Sequence, residues 1–319
     1  MTIVVFGSIN MDLVARVPHL PVQGETLIGH HFDTVPGGKG ANQAVAIAQL
    51  GVHTQMVGRL GTDGFSKPLL DSLQQSGVEC DRVWLDPAHH SGVAIIAVDE
   101  QGENHIIVIP GANGQLDQGD VERLKPLLPE ASHLMLQLEV PLDAVVAAAR
   151  VAKAAGVTVV LDPAPARADL PDELLACTDI LTPNQIEATQ LTGHPVHDYA
   201  TAEQAARQLQ RRGVATVIVK LGSQGSLCVS EGKTLITPAM PVEVVDTVAA
   251  GDAFNGGLVT ALEDGRSLEE ALRWATAAAT LCVSQHGAQS SMPDRPTLEA
   301  FLAQLPNEAS IKAGLTQRH

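Results

Sequence analysis

Short β-branched runs alternate with alanine-rich stretches along most of the chain, a rhythm that few architectures can accommodate. Residues 133–138 read as a strand, 142–155 as a helix stopped by Gly156, and 157–161 as the next strand. A strand at 180–182, a helix near 185–191, a helix at 202–212 ending at Gly213, and a strand at 216–221 continue the pattern. This alternation predicts an α/β fold, a parallel sheet with helices on both faces. Ligands of such sheets bind beyond the carboxyl ends of the strands. Glu139, Asp162 and Asn184 fall at or just past those ends. With 319 residues, the chain can bury a large core as one elaborated α/β domain or as two domains.

Two stretches break the rhythm. Residues 11–35 hold strand-like pieces at 13–17 and 26–29 with no helix between them, and residues 92–109 read as a hairpin turning around Asp99-Glu100-Gln101-Gly102. The hairpin arms, 93–98 and 105–109, are apolar at consecutive positions. A strand pair open to water on one face should alternate, so these runs predict cover on both faces. Addition of these strands to the main sheet would supply it.

Val-Asp-Thr-Val-Ala-Ala-Gly-Asp-Ala-Phe-Asn-Gly, residues 245–256, carries the strongest chemical signal. It runs from a β-branched segment straight into an amphipathic helix. Ala249, Ala250 and Gly251 therefore form a small-residue turn at a helix N-terminus, with Asp252 beside it. The first N–H groups of a helix lack intrahelical partners and carry partial positive charge, which suits an anion. A carboxylate next to an anion site fits phosphoryl transfer to a hydroxyl, with Asp252 taking the alcohol's proton. The dipole should keep Asp252 ionised at neutral pH. A second motif, Pro36-Gly37-Gly38-Lys39-Gly40-Ala41-Asn42, also opens a helix, and its three glycines in four positions predict close backbone approach to a ligand. It is not a P-loop, because no Ser or Thr follows Lys39, and it is not a dinucleotide fingerprint, because Gln43 stands where glycine or alanine should close the motif.

Composition narrows the partners. A net charge of −16 and a pI near 5.0 argue against nucleic acid and anionic membrane surfaces. No run of uncharged apolar residues is long enough to predict a membrane span. The start of the chain enters Ile3-Val4-Val5-Phe6 with no basic residue before it, unlike a signal peptide, so a cytoplasmic location is expected. Cys80, Cys177, Cys228 and Cys282 lack metal-ligand spacing and read as buried thiols. The histidines, including His30-His31 and His89-His90, read as surface or loop residues. Ser267 and Glu270 form a capping box for the helix that carries Trp274 and Thr276. Residues 306–319 are mostly polar and expected to be peripheral.

Taken in order, these motifs resemble those of the ribokinase-like (PfkB) carbohydrate kinases. The similarity begins at Gly7-Ser8-Ile9-Asn10-Met11-Asp12 and continues through Gly37-Gly38-Lys39-Gly40-Ala41-Asn42-Gln43-Ala44. It recurs at Leu136-Gln137-Leu138-Glu139, Asp162-Pro163-Ala164-Pro165-Ala166-Arg167 and Thr182-Pro183-Asn184-Gln185-Ile186-Glu187. It closes with residues 246–256 and His286-Gly287-Ala288-Gln289. The resemblance implies a three-layer α/β/α fold with a mainly parallel central sheet and a small β-sheet lid. The main domain would comprise residues 1–11, 36–91 and 110–306, the lid 12–35 and 92–109, and a tail 307–319. The lid is expected to pack on that of a second copy, giving a homodimer.

The same resemblance implies roles for individual residues. Asn10, Met11, Asp12, Gly38, Lys39, Gly40, Ala41, Asn42 and Glu139 match sugar-contact positions. Asp252 matches the base, with Ala249, Ala250 and Gly251 as its anion hole. Asn184 and Glu187 match a pair that helps place phosphates and the water shell of Mg²⁺. Lys220, Leu221, Gly222, Ser223, Gln224 and Gly225 match the ATP-binding loop, and Thr276 aligns with an adenine-pocket residue. Two of these depart from the pattern: Lys220 stands where close relatives carry a small polar residue, and Thr276 where histidine is common. Asp246, Val248, Cys282, Gln285, Gly287 and Ser291 align with a monovalent-cation (K⁺) site, mostly through backbone carbonyls. The implied activity is ATP-dependent phosphorylation of a small sugar, D-ribose first, at its primary hydroxyl. Rivals are a deoxyribose, other pentose or nucleoside kinase, a sugar-phosphate kinase, and a non-catalytic sugar-binding regulator. Two Trp, one Tyr and five Phe leave little for stacking a second base. Lys39 is the only cation in the two N-terminal motifs, too few for a sugar phosphate.

Overall fold

The computed structural model describes residues 1–305, so the expected tail lies outside the described residues. The chain opens with β1 (Thr2–Phe6), β2 (Asn10–Arg16), β3 (His31–Gly37), α1 (Lys39–Gln49), β4 (Thr54–Leu60), α2 (Ser66–Gln75) and β5 (Val78–Leu85). Next come β6 (Gly92–Val98), β7 (Asn104–Ile109), α3 (Gln118–Leu124), β8 (Ala131–Leu136), α4 (Leu142–Ala154), β9 (Thr158–Leu161), α5 (Asp172–Cys177) and β10 (Ile180–Leu181). The remainder is α6 (Gln185–Thr192), α7 (Tyr199–Arg211), β11 (Thr216–Lys220), β12 (Ser226–Ser230), β13 (Lys233–Thr237), α8 (Ala250–Glu263), α9 (Leu268–Val283) and α10 (Arg295–Gln304).

Nine strands form the main sheet in the order β13-β12-β11-β10-β9-β8-β1-β4-β5. From β11 to β5 every pairing is parallel; β12 and β13 add antiparallel strands at one edge. Successive residues of a strand point to opposite faces, and the two cores divide on that basis. Val4, Phe6, Leu134, Leu136, Val159 and Leu161 enter one core with α4 and α7. Ile3, Val5, Met135 and Val160 enter the other with α1, α8 and α9. Burial on both faces is why these strands carry continuous apolar runs.

Strand order reverses at β1: the chain moves outward through β4 and β5 on one side, and later through β8, β9, β10 and β11 on the other. A crevice therefore opens between the carboxyl ends of β1 and β8, the location that favours ligand binding in open α/β sheets. On the face holding α1, helix α8 is wedged between α1 and α9 through Gly256 and Gly257. A Cβ on Gly256 would stand 2.5 Å from the Ala46 Cβ, and one on Gly257 would stand 2.9 Å from the Ala278 Cβ. That close approach brings the first turn of α8 against the start of α1.

The rhythm-breaking stretches form a second, four-stranded sheet in the order β3-β2-β6-β7, separate from the main one. β2 pairs antiparallel with β3 and parallel with β6, and β6 and β7 form the expected hairpin. One strand expectation fails. Residues 26–29 are not a strand; the ladder to β2 begins only at His31, where His31 pairs with Arg16. The expected cover on both faces is also missing from the hairpin within one chain, since all of β7 is exposed and Ile107 is 62% so.

Candidate active site

The crevice between β1 and β8 is closed by one carboxylate. Glu139, just past β8, accepts from Ser8 Oγ and from the Lys39 backbone N–H at 3.0 Å, tying the end of β1 to the start of α1. The three glycines around the start of α1 make room for protein. A Cβ on Gly37 would collide with the Asp12 carboxylate at 2.1 Å, one on Gly38 with the Asn10 N at 2.7 Å, and one on Gly40 with the Ser8 N at 2.7 Å. Gly38 also sits at φ 89°, which L side chains avoid. The expected approach to a ligand is thus, in the first place, an approach to residues 8–12. Asn10 is buried and accepts from Asn113 Nδ2 at 2.7 Å. Met11 and Ala41 are buried in the core, so at these two positions only backbone could face a ligand. Burial, with Glu139 and Asp252 nearby, pushes the Asp12 carboxyl up to about 7.

Asp252 lies in the first turn of α8, 4% exposed, directly across from α1. Asn42 Nδ2 donates to its Oδ2 at 3.1 Å and Gln43 Nε2 to its Oδ1 at 3.0 Å. Gln43 Nε2 also donates to Asp162 Oδ2 at 3.0 Å, and Gln43 Oε1 accepts from Gln137 Nε2 at 2.6 Å. A chain of amides thus fixes the carboxylate from below. The N-cap of α8, Ala249, adopts a left-handed conformation at φ 59°, which costs a residue with a Cβ about 1–2 kcal/mol. Strain of this kind gathers where function fixes the backbone. The expected effect of the dipole on Asp252 is overturned. Burial dominates and pushes its carboxyl up to about 6, while Lys39 and the two amides hold it down and Asp162 pushes it further up. Asp252 remains mostly ionised at neutral pH. Burial would also lower the Lys39 pKa, yet Asp252, Asp162, Glu139 and Glu187 together hold it above the ordinary lysine range.

A cavity of about 840 Å³ opens at this turn. Its lining includes Lys39, Ala249, Ala250, Gly251 and Asp252, and also Asn184, Glu187, Lys220, Gly222, Ser223, Gly225 and Thr276. After β11 the chain doubles back tightly: Leu221 N–H donates to the Gly225 carbonyl, and a Cβ on Gly225 would meet the Thr237 carbonyl at 2.1 Å. Of the expected loop residues, Leu221 and Gln224 do not line the cavity, and Leu221 is buried. Asn184 and Glu187 form a capping box for α6, each side chain accepting from the other's backbone N–H, with Asn184 Nδ2 also on Glu187 Oε1. Burial and Asp162 raise the Glu187 pKa. The sugar-contact candidates Asn10, Asp12, Asn42 and Glu139 lie outside this cavity, on the crevice side of Asp252.

The residues aligned with a cation site do come together. Asp246 accepts from Val248 N–H at 3.0 Å and Gly287 N–H at 3.1 Å. Cys282 Sγ lies 3.6 Å from the Val248 carbonyl and 3.1 Å from Ser291 Oγ. Gln285 N–H donates to the Cys282 carbonyl. Among the described residues, no cluster of three His, Cys, Asp or Glu side chains could hold a metal ion. Several site residues escaped the sequence reading. Gln43 and Gln137 entered it only within motifs, with no role of their own, and Asp162 only by its place at a strand end and within a motif. Asn113, which anchors Asn10 and also donates to the Ile9 carbonyl, carried no sequence signal.

Known proteins resemble this chain over most of its length. The profile described as pfkB family carbohydrate kinase matches residues 1–295. Haemophilus influenzae ribokinase is 42% identical over 301 residues, 94% of this chain and 98% of that protein. A deoxyribokinase of Salmonella typhi is 37% identical, covering 95% of this chain and 99% of that protein. The structure of Arabidopsis thaliana ribokinase complexed with ribose and ATP superposes with a TM-score of 0.87 at 38% identity, covering 95% of this chain and 99% of that one.

Asp12 generates a pH prediction. Its folded pKa of about 7 lies above the ordinary 3.8, so folding takes up a proton between about pH 4 and 7. Stability from this group is full below that window and declines as pH rises through it. Asp12→Asn should therefore flatten the loss of unfolding stability between pH 5 and pH 8, by about 1–3 kcal/mol. Denaturant unfolding of both proteins without ligand would check this; an equal loss in both would contradict it.

Proposed function

The chain belongs to the pfkB family of carbohydrate kinases and is a sugar kinase; from that premise we propose that it transfers the γ-phosphoryl group of ATP to the primary hydroxyl of D-ribose, giving the 5-phosphate. The observation that carries this reading is Asp252, buried at the first turn of α8 and held by Asn42 and Gln43 in the lining of the cavity. The sugar would lie in the crevice against Asn10, Asp12, Lys39, Asn42 and Glu139, and the nucleotide in the cavity. Its adenine would lie toward Thr276 and its phosphates toward the turn Ala249-Ala250-Gly251. Asp252 accepts the hydroxyl proton as the oxygen attacks phosphorus, and the first N–H groups of α8 offset the developing charge. A pKa of about 6 leaves Asp252 ionised yet basic enough near neutral pH.

The donor sets are compatible with the ions expected. Mg²⁺ would neutralise the triphosphate; with both Glu187 oxygens engaged by Asn184, it would keep its waters and meet Asn184 and Glu187 through them. A K⁺ ion would be held by Asp246 and by carbonyls around Val248, Cys282, Gln285, Gly287 and Ser291. We propose a homodimer through the small sheet, because Phe32, Ile95 and Ile107 stand exposed on one face of it.

The deoxyribokinase relative makes deoxyribose the reading to test against. Ribose should be preferred by about tenfold or more in kcat/KM, since deoxyribose would leave a buried polar group underpaired, which costs about 1–3 kcal/mol. A sugar panel with ATP, scored by phosphorylated product, checks this; equal or better constants for deoxyribose would reassign the substrate.

The dimer makes its own prediction. Ile107→Glu should shift sedimentation from dimer to monomer and weaken sugar affinity. A monomeric parent with unchanged sugar affinity in the variant would remove the interface.

A further inference from the structure

Lys220 ends β11 and projects toward α8, with its side chain 13% exposed. Its Nζ donates to Asp162 Oδ1 at 2.9 Å and lies 3.3 Å from the point where a Cβ on Gly251 would stand. A cation therefore sits beside the turn that lines the cavity. An ammonium so far from water gains little net stability from one carboxylate. Asp162 also has a second donor, Gln43. Asp12, Glu139, Asp162, Glu187 and Asp252 surround the site, with Lys39 and Lys220 as the cations among them. A triphosphate brought to this turn would meet Lys220 directly.

Resting on the kinase reading above, we infer that Lys220 is a catalytic residue of the transfer: Asp162 aims its ammonium at the transferring phosphoryl group. In that step the sugar oxygen forms a bond to the γ-phosphorus while the bond to the β–γ bridging oxygen breaks. The electron pair leaves with ADP, and the hydroxyl proton goes to Asp252. Lys220 exchanges no proton; it offsets charge on the phosphoryl and bridging oxygens, a task for which a small polar residue at this position has no charge.

Three variants test this: Lys220→Met, Asp162→Asn and the two combined. Asp162→Asn is the baseline, because it loses the carboxylate that Lys220 would otherwise merely neutralise. Lys220→Met should lower kcat about 10²-fold or more, the scale of one lost charge-stabilising donor. The double variant should still fall about tenfold or more below Asp162→Asn, because the charge persists when Asp162 no longer aims it, with the sugar KM within about twofold. In calorimetry without sugar, affinity for ATP should fall more than affinity for ADP. A double variant that turns over as fast as Asp162→Asn, or an unchanged ATP-to-ADP affinity ratio, would overturn the inference and reduce Lys220 to a partner for Asp162. Failure of the kinase reading would look different: the parent chain would phosphorylate no sugar, and the role of Lys220 would fall with it.

Discussion

The contact between α1 and α8 is the constraint on which the site depends. Gly256 lets α8 approach Ala46 closely enough that Asn42 and Gln43, at the start of α1, reach Asp252 at the start of α8. The two helices run from the same end of the sheet, so one packing contact fixes both their first turns and the carboxylate between them. Side chains placed by rigid elements rather than by loops hold their geometry more tightly. The left-handed Ala249 is tolerated because the helix behind it is wedged on both sides, by Ala46 and by Ala278.

Charge is the second organising factor. Burial pushes Asp12, Glu187 and Asp252 upward, and Lys39 is held protonated by the carboxylates around it. Their repulsion is a standing destabilisation of the empty site, relieved when cations or hydroxyl donors arrive. Desolvation outweighs the helix dipole at Asp252 because the dipole contributes about a kcal/mol or less at a first turn, whereas loss of water from a buried carboxylate costs several.

Much of this was legible in the sequence. The strand–helix alternation gave the parallel sheet because strands buried on both faces must be apolar throughout. The turn at Ala249-Ala250-Gly251 and the Ser267–Glu270 capping box are local features, and local chemistry sufficed for them. Long-range contacts were not legible. Gln43 meets Asp252 from a sequence distance of 209 residues and Asn113 meets Asn10 from 103, and no periodicity encodes such pairs. The start of β3 was misplaced because Thr26-Leu27-Ile28 has strand-like composition without a partner strand, while His31 faces Arg16 across a ladder. The apolar run in β7 signalled cover on both faces that one chain does not provide.

The central claim is that Asp252 is the proton acceptor. Asp252→Asn keeps the shape and an oxygen acceptor for Gln43 while removing the charge, so rapid-mixing measurement of the transfer step with ATP and ribose tests it most directly. Transfer slower by about two to four orders of magnitude, with ATP and ribose affinities within a few-fold of the parent, is the result this account predicts. Transfer at close to the parental rate would contradict it.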